Sequence, residues 1–313
     1  MSRRVVARAY GGPEVLAVVD AEAVNPAPGE VVIEVRAIGV NPFDYKLYSG
    51  AFGADPDALP MRLGSEAAGV VAEVGDAAAG PVGPISVGDE VIVYPVSESY
   101  ADRLVVSGDS VIPKPASLPW NEAAGLLAVG ATAVDTLDTA NVGTRDLLLV
   151  HGAAGGVGSF VVQLARARGA TIIGTARPEH HDYVRSLGAA PVSYGAGLGD
   201  RVRVLAPDGV DAVIHTAGSD ESIDVSVELV RDRSRLVTTV PGPRPAEAGF
   251  RVVGGLGPEG MEPRKRARVF LVDLAGNGDV RVRVARTYAL SEAARAHADL
   301  RKPHAAGKFI LLP

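Results

Sequence analysis

The chain has 313 residues, room for two ordinary domains, and its 47% hydrophobic and 22% charged residues are the composition of a folded globular protein. Its 31 basic and 37 acidic residues leave a net charge of −6, which excludes the basic surface that general nucleic-acid affinity needs. There is no cysteine, so disulfides, thiolate zinc sites and a cysteine nucleophile are excluded as well.

No apolar run approaches the ~18 residues of a membrane span. The start, Met-Ser-Arg-Arg-Val-Val-Ala-Arg, lacks a long apolar core, so no secretory signal is expected and a cytoplasmic location is.

Residues 4–10 and 31–38 read as strands. In the second, Val31, Ile33, Val35 and Ala37 alternate with Val32, Glu34 and Arg36, a period of two. Asn25-Pro-Ala-Pro-Gly-Glu between them is a turn cluster. From Gly39 to Gly50 follows a polar and aromatic stretch that reads as a loop, the kind of segment that carries function. The stretch 64–75 reads as a small-residue strand, and strands are also expected near 90–94 and 104–106. The first ~115 residues therefore predict a mostly β, barrel-type domain with many turns.

The character changes near Pro113. Trp120 to Asp138 reads as helix broken near Gly130. Strands and helices then alternate: strands at 147–151, 171–176, 191–194, 210–216 and 235–240, with helices near 157–168, 179–187 and 220–231. This alternation predicts a doubly wound parallel sheet of the Rossmann type. A helix near 263–275, a short helix from Ser291 to Leu300 and a final strand from Lys308 do not continue the pattern.

The centre of the pattern is Asp146-Leu-Leu-Leu-Val-His-Gly-Ala-Ala-Gly-Gly-Val-Gly158. An uncharged strand, a glycine turn and a helix make the opening of a dinucleotide-binding unit, with Ala154, Gly155, Gly156 and Val157 facing the pyrophosphate. In the G-x-G-x-x-G template Ala153 takes the first position, Gly155 the second and Gly158 the third, and alanine in the first position departs from it. Arg177 lies just past the next strand, where an NAD site holds an acid. A basic residue there suits the 2′-phosphate of NADPH. Tyr194 after the third strand would flank the same phosphate or the adenine. Glu179, two residues beyond Arg177, opposes the assignment.

With these segments in hand, the chain resembles the zinc-independent quinone oxidoreductases of the medium-chain dehydrogenase/reductase superfamily. The matching segments are Gly39-Val-Asn-Pro-Phe-Asp-Tyr-Lys, Gly64-Ser-Glu-Ala-Ala-Gly-Val-Val-Ala-Glu-Val-Gly, Val87-Gly-Asp-Glu-Val, Gly130-Ala-Thr-Ala, the glycine turn, Asp211-Ala-Val-Ile-His-Thr-Ala-Gly and Gly307-Lys-Phe-Ile-Leu. The resemblance runs nearly end to end, and alanine at 153 is a usual form in this branch. It implies a GroES-like catalytic domain at 1–118, a Rossmann NADPH-binding domain at 119–260, and a segment at 261–313 returning to the first. It implies hydride transfer from NADPH to a quinone, or to the activated C=C bond of an enone, enal or enoyl ester, by a homodimer or homotetramer. Zinc-dependent relatives place ligands in the region of Asn41 and Ser65–Glu66, where this chain has no Cys or His. Thr132, Gly218 and Val240 are carried over as nicotinamide-end contacts, and Lys308 as a residue of the fold or of the cofactor end. Loops near 44–62 and 241–260 are implied to shape the substrate pocket.

Hydride transfer depends on positioning and on donors to the oxygen where charge develops. Asn41, Tyr45 and Lys46 are the candidates for that work, with Asp44 orienting their loop. Ordinary turn chemistry is the competing explanation for each. A different class also stays open: an NADPH-binding sensor or accessory protein with little turnover.

Overall fold

β-Branched runs with period-two alternation build the first part of the chain into antiparallel sheet. The computed structural model describes residues 2–22, 25–254 and 258–313, the side chains of 258 and 259 excepted, so residues 255–257 of the 241–260 loop lie outside the described residues. Two compact units divide the chain, 1–128 with 268–313, and 129–267. The sequence placed its breaks after 118 and 260, in turn-rich stretches. Both breaks fall instead within helices.

In the first unit β1 (Ser2–Ala7) pairs with β2 (Leu16–Ala21). The long β3 (Glu30–Val40) leads into α1 (Pro42–Tyr48), and β4 (Met61–Arg62) returns to β1. Next come β5 (Ala67–Val74), the small β6 (Ala79–Gly80) and β7 (Gly83–Pro84) pair, β8 (Glu90–Val93), β9 (Arg103–Ser107) and β10 (Val111–Pro113). Helices α2 (Trp120–Ala123) and α3 (Leu127–Thr139) follow. The main sheet has β3 at its centre, paired with β5 along one edge and with β9 along the first part of the other. Val31, Ile33, Val35 and Ile38 of β3 are buried in its core with Tyr48, Leu63 and Tyr100.

Two expectations change here. The stretch 42–48 is helix, not loop. Pro42 at its first position needs no N–H partner, and the Asp44 carboxylate accepts from the Asn41 N–H at 2.8 Å. The helix expected to break at Gly130 breaks at Ala124–Leu126 and runs unbroken through Gly130. At Gly125 a Cβ would stand 3.1 Å from Val282, so the tight approach lies there.

The second unit contains β11 (Leu147–His151), α4 (Gly156–Ala167), β12 (Thr171–Ala176), α5 (His181–Leu187), β13 (Ala190–Ser193), α6 (Leu198–Leu205), β14 (Ala212–His215), α7 (Asp220–Leu229), β15 (Leu236–Thr238), α8 (Pro243–Glu247) and β16 (Arg251–Val252). Among the described residues the parallel strands run β13-β12-β11-β14-β15-β16, the doubly wound order with its reversal between β11 and β14. α6 and β16 were not foreseen. α6 is eight residues beginning among glycines and buries only Leu198 and Val202, too little apolar periodicity to announce itself.

α9 (Pro258–Asn277), β17 (Val284–Ala289), α10 (Ala293–Leu300) and β18 (Lys308–Leu312) complete the chain. The final strand is apolar and buried, and it pairs antiparallel with β3, Phe309 opposite Val40 and Leu311 opposite Ile38. The last strand of the sequence thus closes the sheet begun by its first forty residues. The helix start expected at Ser291 is instead held by Glu292, whose carboxylate accepts from the Ala289 N–H at 3.1 Å.

Candidate active site

A doubly wound sheet binds ligands at its carboxyl edge, where the strand order reverses. Gly152 leaves β11 there with φ +81°, the left-handed conformation that the tight turn requires. The template gave that duty to position 153. Ala153 is instead fully buried, and a Cβ added to Gly174 of β12 would stand 2.7 Å from the Ala153 methyl. Alanine is tolerated because the strained residue lies one place earlier and Gly174 leaves room for the methyl. Gly158 does serve close packing, since a Cβ there would lie 2.2 Å from the Gly152 carbonyl oxygen. Gly155 caps α4 and is exposed, with Ala154 buried beside it. The first-turn N–H groups of Gly156 and Val157 have no carbonyl a turn behind them, so they and the positive helix end suit a pyrophosphate.

Arg177 follows β12, about a quarter exposed, with its Nε 3.2 Å from Glu179 and its Nη2 2.9 Å from His180 Nε2. A guanidinium only donates, so His180 Nε2 accepts. His180 is thereby part of the Arg177 cluster. Tyr194 is half exposed just past β13. Gly218 and Val240 line an open cavity of about 290 Å³ with His215, Ser219, Asp220 and Arg244. His215 and His151 are buried side by side, each held by hydroxyls: Ser222 and Thr238 for the first, Ser226 and Thr175 for the second. Burial pushes His215 down to about 4. Burial, then the neighbouring His215, pushes His151 down to about 3. Both are neutral near pH 7. Thr132 is half-buried on α3.

In the first unit the candidates on and beside α1 divide into two sets. Asn41 is 6% exposed and internally committed. Its amide donates to Glu66 Oε1 at 3.0 Å and toward Ser65 Oγ at 3.3 Å, and its carbonyl accepts from the Lys308 ammonium at 2.6 Å. Lys308 Nζ also donates to Glu66 Oε1 and to the Val40 carbonyl, both at 3.0 Å, while Glu66 Oε2 takes the Ala128 N–H at 2.8 Å. Three ammonium hydrogens thus meet three oxygens in a buried, fully paired hub. Gly39 makes room for it: a Cβ there would lie 2.4 Å from Glu66 Oε1. The Asn41 amide, expected to donate to substrate, has both hydrogens directed at protein acceptors. Tyr45 and Lys46 lie half-buried, the Tyr45 ring beneath the Arg301 guanidinium at 5.8 Å.

Asp44 faces inward into a second network. Its Oδ2 accepts from Asn41 N–H and, at 3.0 Å, from Tyr100 Oη; Tyr100 Oη meets His297 Nε2 and Tyr48 Oη meets His297 Nδ1, both at 2.8 Å. Burial pushes Asp44 up to about 7 against the lowering effect of those two hydrogen bonds and the Lys308 charge. Burial also pushes His297 down to about 4. A neutral imidazole with Tyr100 donating to Asp44 is self-consistent: Nε2–H donates to Tyr100, and Nδ1 accepts from Tyr48. Glu66, Lys308, Tyr100 and His297 were not singled out for these roles by sequence, because each depends on partners far away in the chain.

A glycine turn at a helix N-terminus, a basic residue past the next strand and a polar hub on a separate sheet unit define a nicotinamide-dependent oxidoreductase. Residues 27–160 match the alcohol dehydrogenase GroES-like domain family and residues 187–311 the zinc-binding dehydrogenase family. A quinone oxidoreductase of Pseudomonas aeruginosa is 32% identical, with all of both chains covered. A trans-enoyl reductase of Aspergillus flavipes is 36% identical over 66% of this chain and 65% of its own. A mycobacterial protein solved in complex with NADPH superposes with a TM-score of 0.85 at 29% identity, covering 99% of this chain and 100% of its own. The chain belongs to the zinc-independent quinone oxidoreductase type of the medium-chain dehydrogenase/reductase superfamily. The family name that mentions zinc does not fit this donor set. The Asn41 and Glu66 oxygens are bound to an ammonium, and among the described residues no group of three or more His, Asp or Glu side chains is placed to hold a metal.

Proposed function

We propose that the chain is an NADPH-dependent, zinc-independent reductase that transfers hydride to a quinone. The observation that carries the cofactor assignment is Arg177, just past β12 and already gripping the Glu179 carboxylate. A guanidinium that pairs with Glu179 in the free protein has the charge and fork geometry to pair with a 2′-phosphate instead. His180 and Tyr194 would border that phosphate, the turn at 154–157 would hold the pyrophosphate, and Thr132, Gly218 and Val240 would meet the nicotinamide end. The bound cofactor supplies the hydride. The chain's own task is to orient the acceptor and to stabilise charge on its oxygen. Tyr45 and Lys46 are the proposed sources of a donor or proton from α1, with Asn41 fixing the start of that helix.

The Aspergillus relative favours a second reading, reduction of an activated C=C bond, which needs the same hydride donor and the same stabilised oxygen. A homodimer or homotetramer is part of the proposal; the exposed edge strand β16 is a surface such an assembly would cover. So is a cytoplasmic location.

Absorbance of the reduced nicotinamide, followed against a panel of quinones, enones and enoyl esters with NADPH and NADH in parallel, tests the reading. Quinone-dependent oxidation of NADPH is the expected result. Turnover confined to enones or enoyl esters selects the second reading. Tight NADPH binding with no acceptor turned over replaces both with a sensor or accessory protein.

A further inference from the structure

Resting on the hydride-transfer reading, we infer that the Ser65 hydroxyl is the hydrogen-bond donor to the acceptor's carbonyl oxygen, aimed by a chain that starts at the Lys308 ammonium. The direction of the chain is fixed by chemistry. An ammonium can only donate, so the Asn41 atom 2.6 Å from Lys308 Nζ is the amide oxygen. The Asn41 nitrogen therefore faces Glu66 and Ser65, and Ser65 Oγ is an acceptor on its inner side. A hydroxyl that accepts has its own hydrogen left to give. Among the described residues that hydrogen has no acceptor, whereas every hydrogen of Lys308 and of the Asn41 amide is directed at one.

Burial distinguishes the members of the chain. Lys308, Asn41 and Glu66 are 5%, 6% and 0% exposed, while Ser65 is the half-buried end. Its backbone is pinned from the other side, the Ser65 carbonyl accepting from the Val96 N–H at 3.1 Å. A donor whose oxygen is polarised by a chain leading back to a buried cation is a better donor than an isolated hydroxyl. It is also preorganised, because Asn41 and Lys308 are both buried and held in place by the hydrogen bonds they already make. Addition of hydride to a quinone carries two electrons and one hydrogen onto the ring system and leaves one oxygen as an oxyanion. Ser65 stabilises that oxyanion without giving up its proton, and the proton that completes the hydroquinone comes from Tyr45 or Lys46 of α1 or from water. Lys308 and Asn41 are positioning residues in this scheme, and Glu66 fixes both.

Ser65→Ala tests the donor, and Lys308→Met with Glu66→Gln tests the chain while leaving no unpaired buried charge. S65A should fold as the wild type does and lose on the order of 10- to 100-fold in kcat with KM nearly unchanged, the signature of one lost transition-state donor. S65T, which restores a hydroxyl, should recover most of the loss. The K308M/E66Q pair should lose a similar factor, and adding S65A to it should cost little more, since residues in one chain are not additive. Unchanged kcat in S65A, failure of S65T to recover activity, or fully additive losses in the triple variant would each overturn the inference. Absence of turnover by the wild-type protein with every acceptor overturns the hydride-transfer reading and the inference with it, whereas an active wild type beside an equally active S65A overturns the inference alone.

Discussion

Asp44→Asn should change how the stability of the protein depends on pH more than it changes stability itself. Asp44 is fully buried, and burial raises it from 3.8 to about 7. An acid raised in the folded state binds its proton more tightly there than in the unfolded chain. Stability from this group is therefore full at low pH and is lost as pH rises from about 4 to about 7. The window is about 3 units wide, which at ~1.4 kcal/mol per unit is on the order of 4 kcal/mol. His297 works in the opposite sense. Lowered from 6.5 to about 4, it is more readily protonated in the unfolded chain, so its contribution grows as pH rises through that range. The two opposed slopes share one hydrogen-bonded network, and asparagine removes only the first. The amide oxygen of D44N can accept from Asn41 and Tyr100 as the carboxylate does. Its NH₂ falls where Asp44 Oδ1 has no partner, an offset of about 1–3 kcal/mol that does not vary with pH. Urea unfolding of both proteins at intervals from pH 4.5 to pH 8 is the assay. The gain of D44N relative to wild type should grow by several kcal/mol across the range. Parallel stability curves would refute the claim that a buried, proton-holding carboxyl lies at the centre of this network.

Three further substitutions probe other joints. R177E should weaken NADPH binding on the order of 100-fold while leaving NADH within about threefold, because the lost pairing involves only the 2′-phosphate; equal losses measured by fluorescence titration would remove the cofactor assignment. G174A should destabilise the second unit by about 1–3 kcal/mol, since its methyl would stand 2.7 Å from that of Ala153, and the pair A153G/G174A should recover most of the loss in thermal melting. Y48F should lower stability by about 1–2 kcal/mol, because His297 Nδ1 loses its donor in a buried site; no change would mean the hydroxyl has no part in tying α10 to α1.

What was legible in the sequence is what the chain does over short distances. The strand at 147–151, the glycine turn and α4 follow one another within 21 residues, and each announces itself by apolar runs and glycines. The closing strand at Lys308–Leu312 was legible for the same reason. Its destination beside β3 rested on resemblance, because nothing local says where an apolar strand will pair. The misread positions share a cause. Asn41 looked like a substrate donor because its partners, Ser65 and Glu66 some 24 and 25 residues on and Lys308 267 residues on, are invisible to local pattern. α1 looked like a loop because the carboxylate that starts it is held by Tyr100, 56 residues away.

The same distinction explains why the alanine in the glycine motif is harmless. A template counts residues along the chain, but the constraint it encodes is a left-handed backbone position and a space for close packing. Gly152 meets the first requirement one place early, and Gly174, on the neighbouring strand, meets the second by lacking a side chain. The apparent defect and its compensation lie 21 residues apart, so the motif is intact in space although it is broken in sequence. The hub beneath Ser65 follows the same rule. Its ammonium, amide and carboxylate come from three separate segments of the chain, and only the fold brings them into the order that would give a serine hydroxyl its direction.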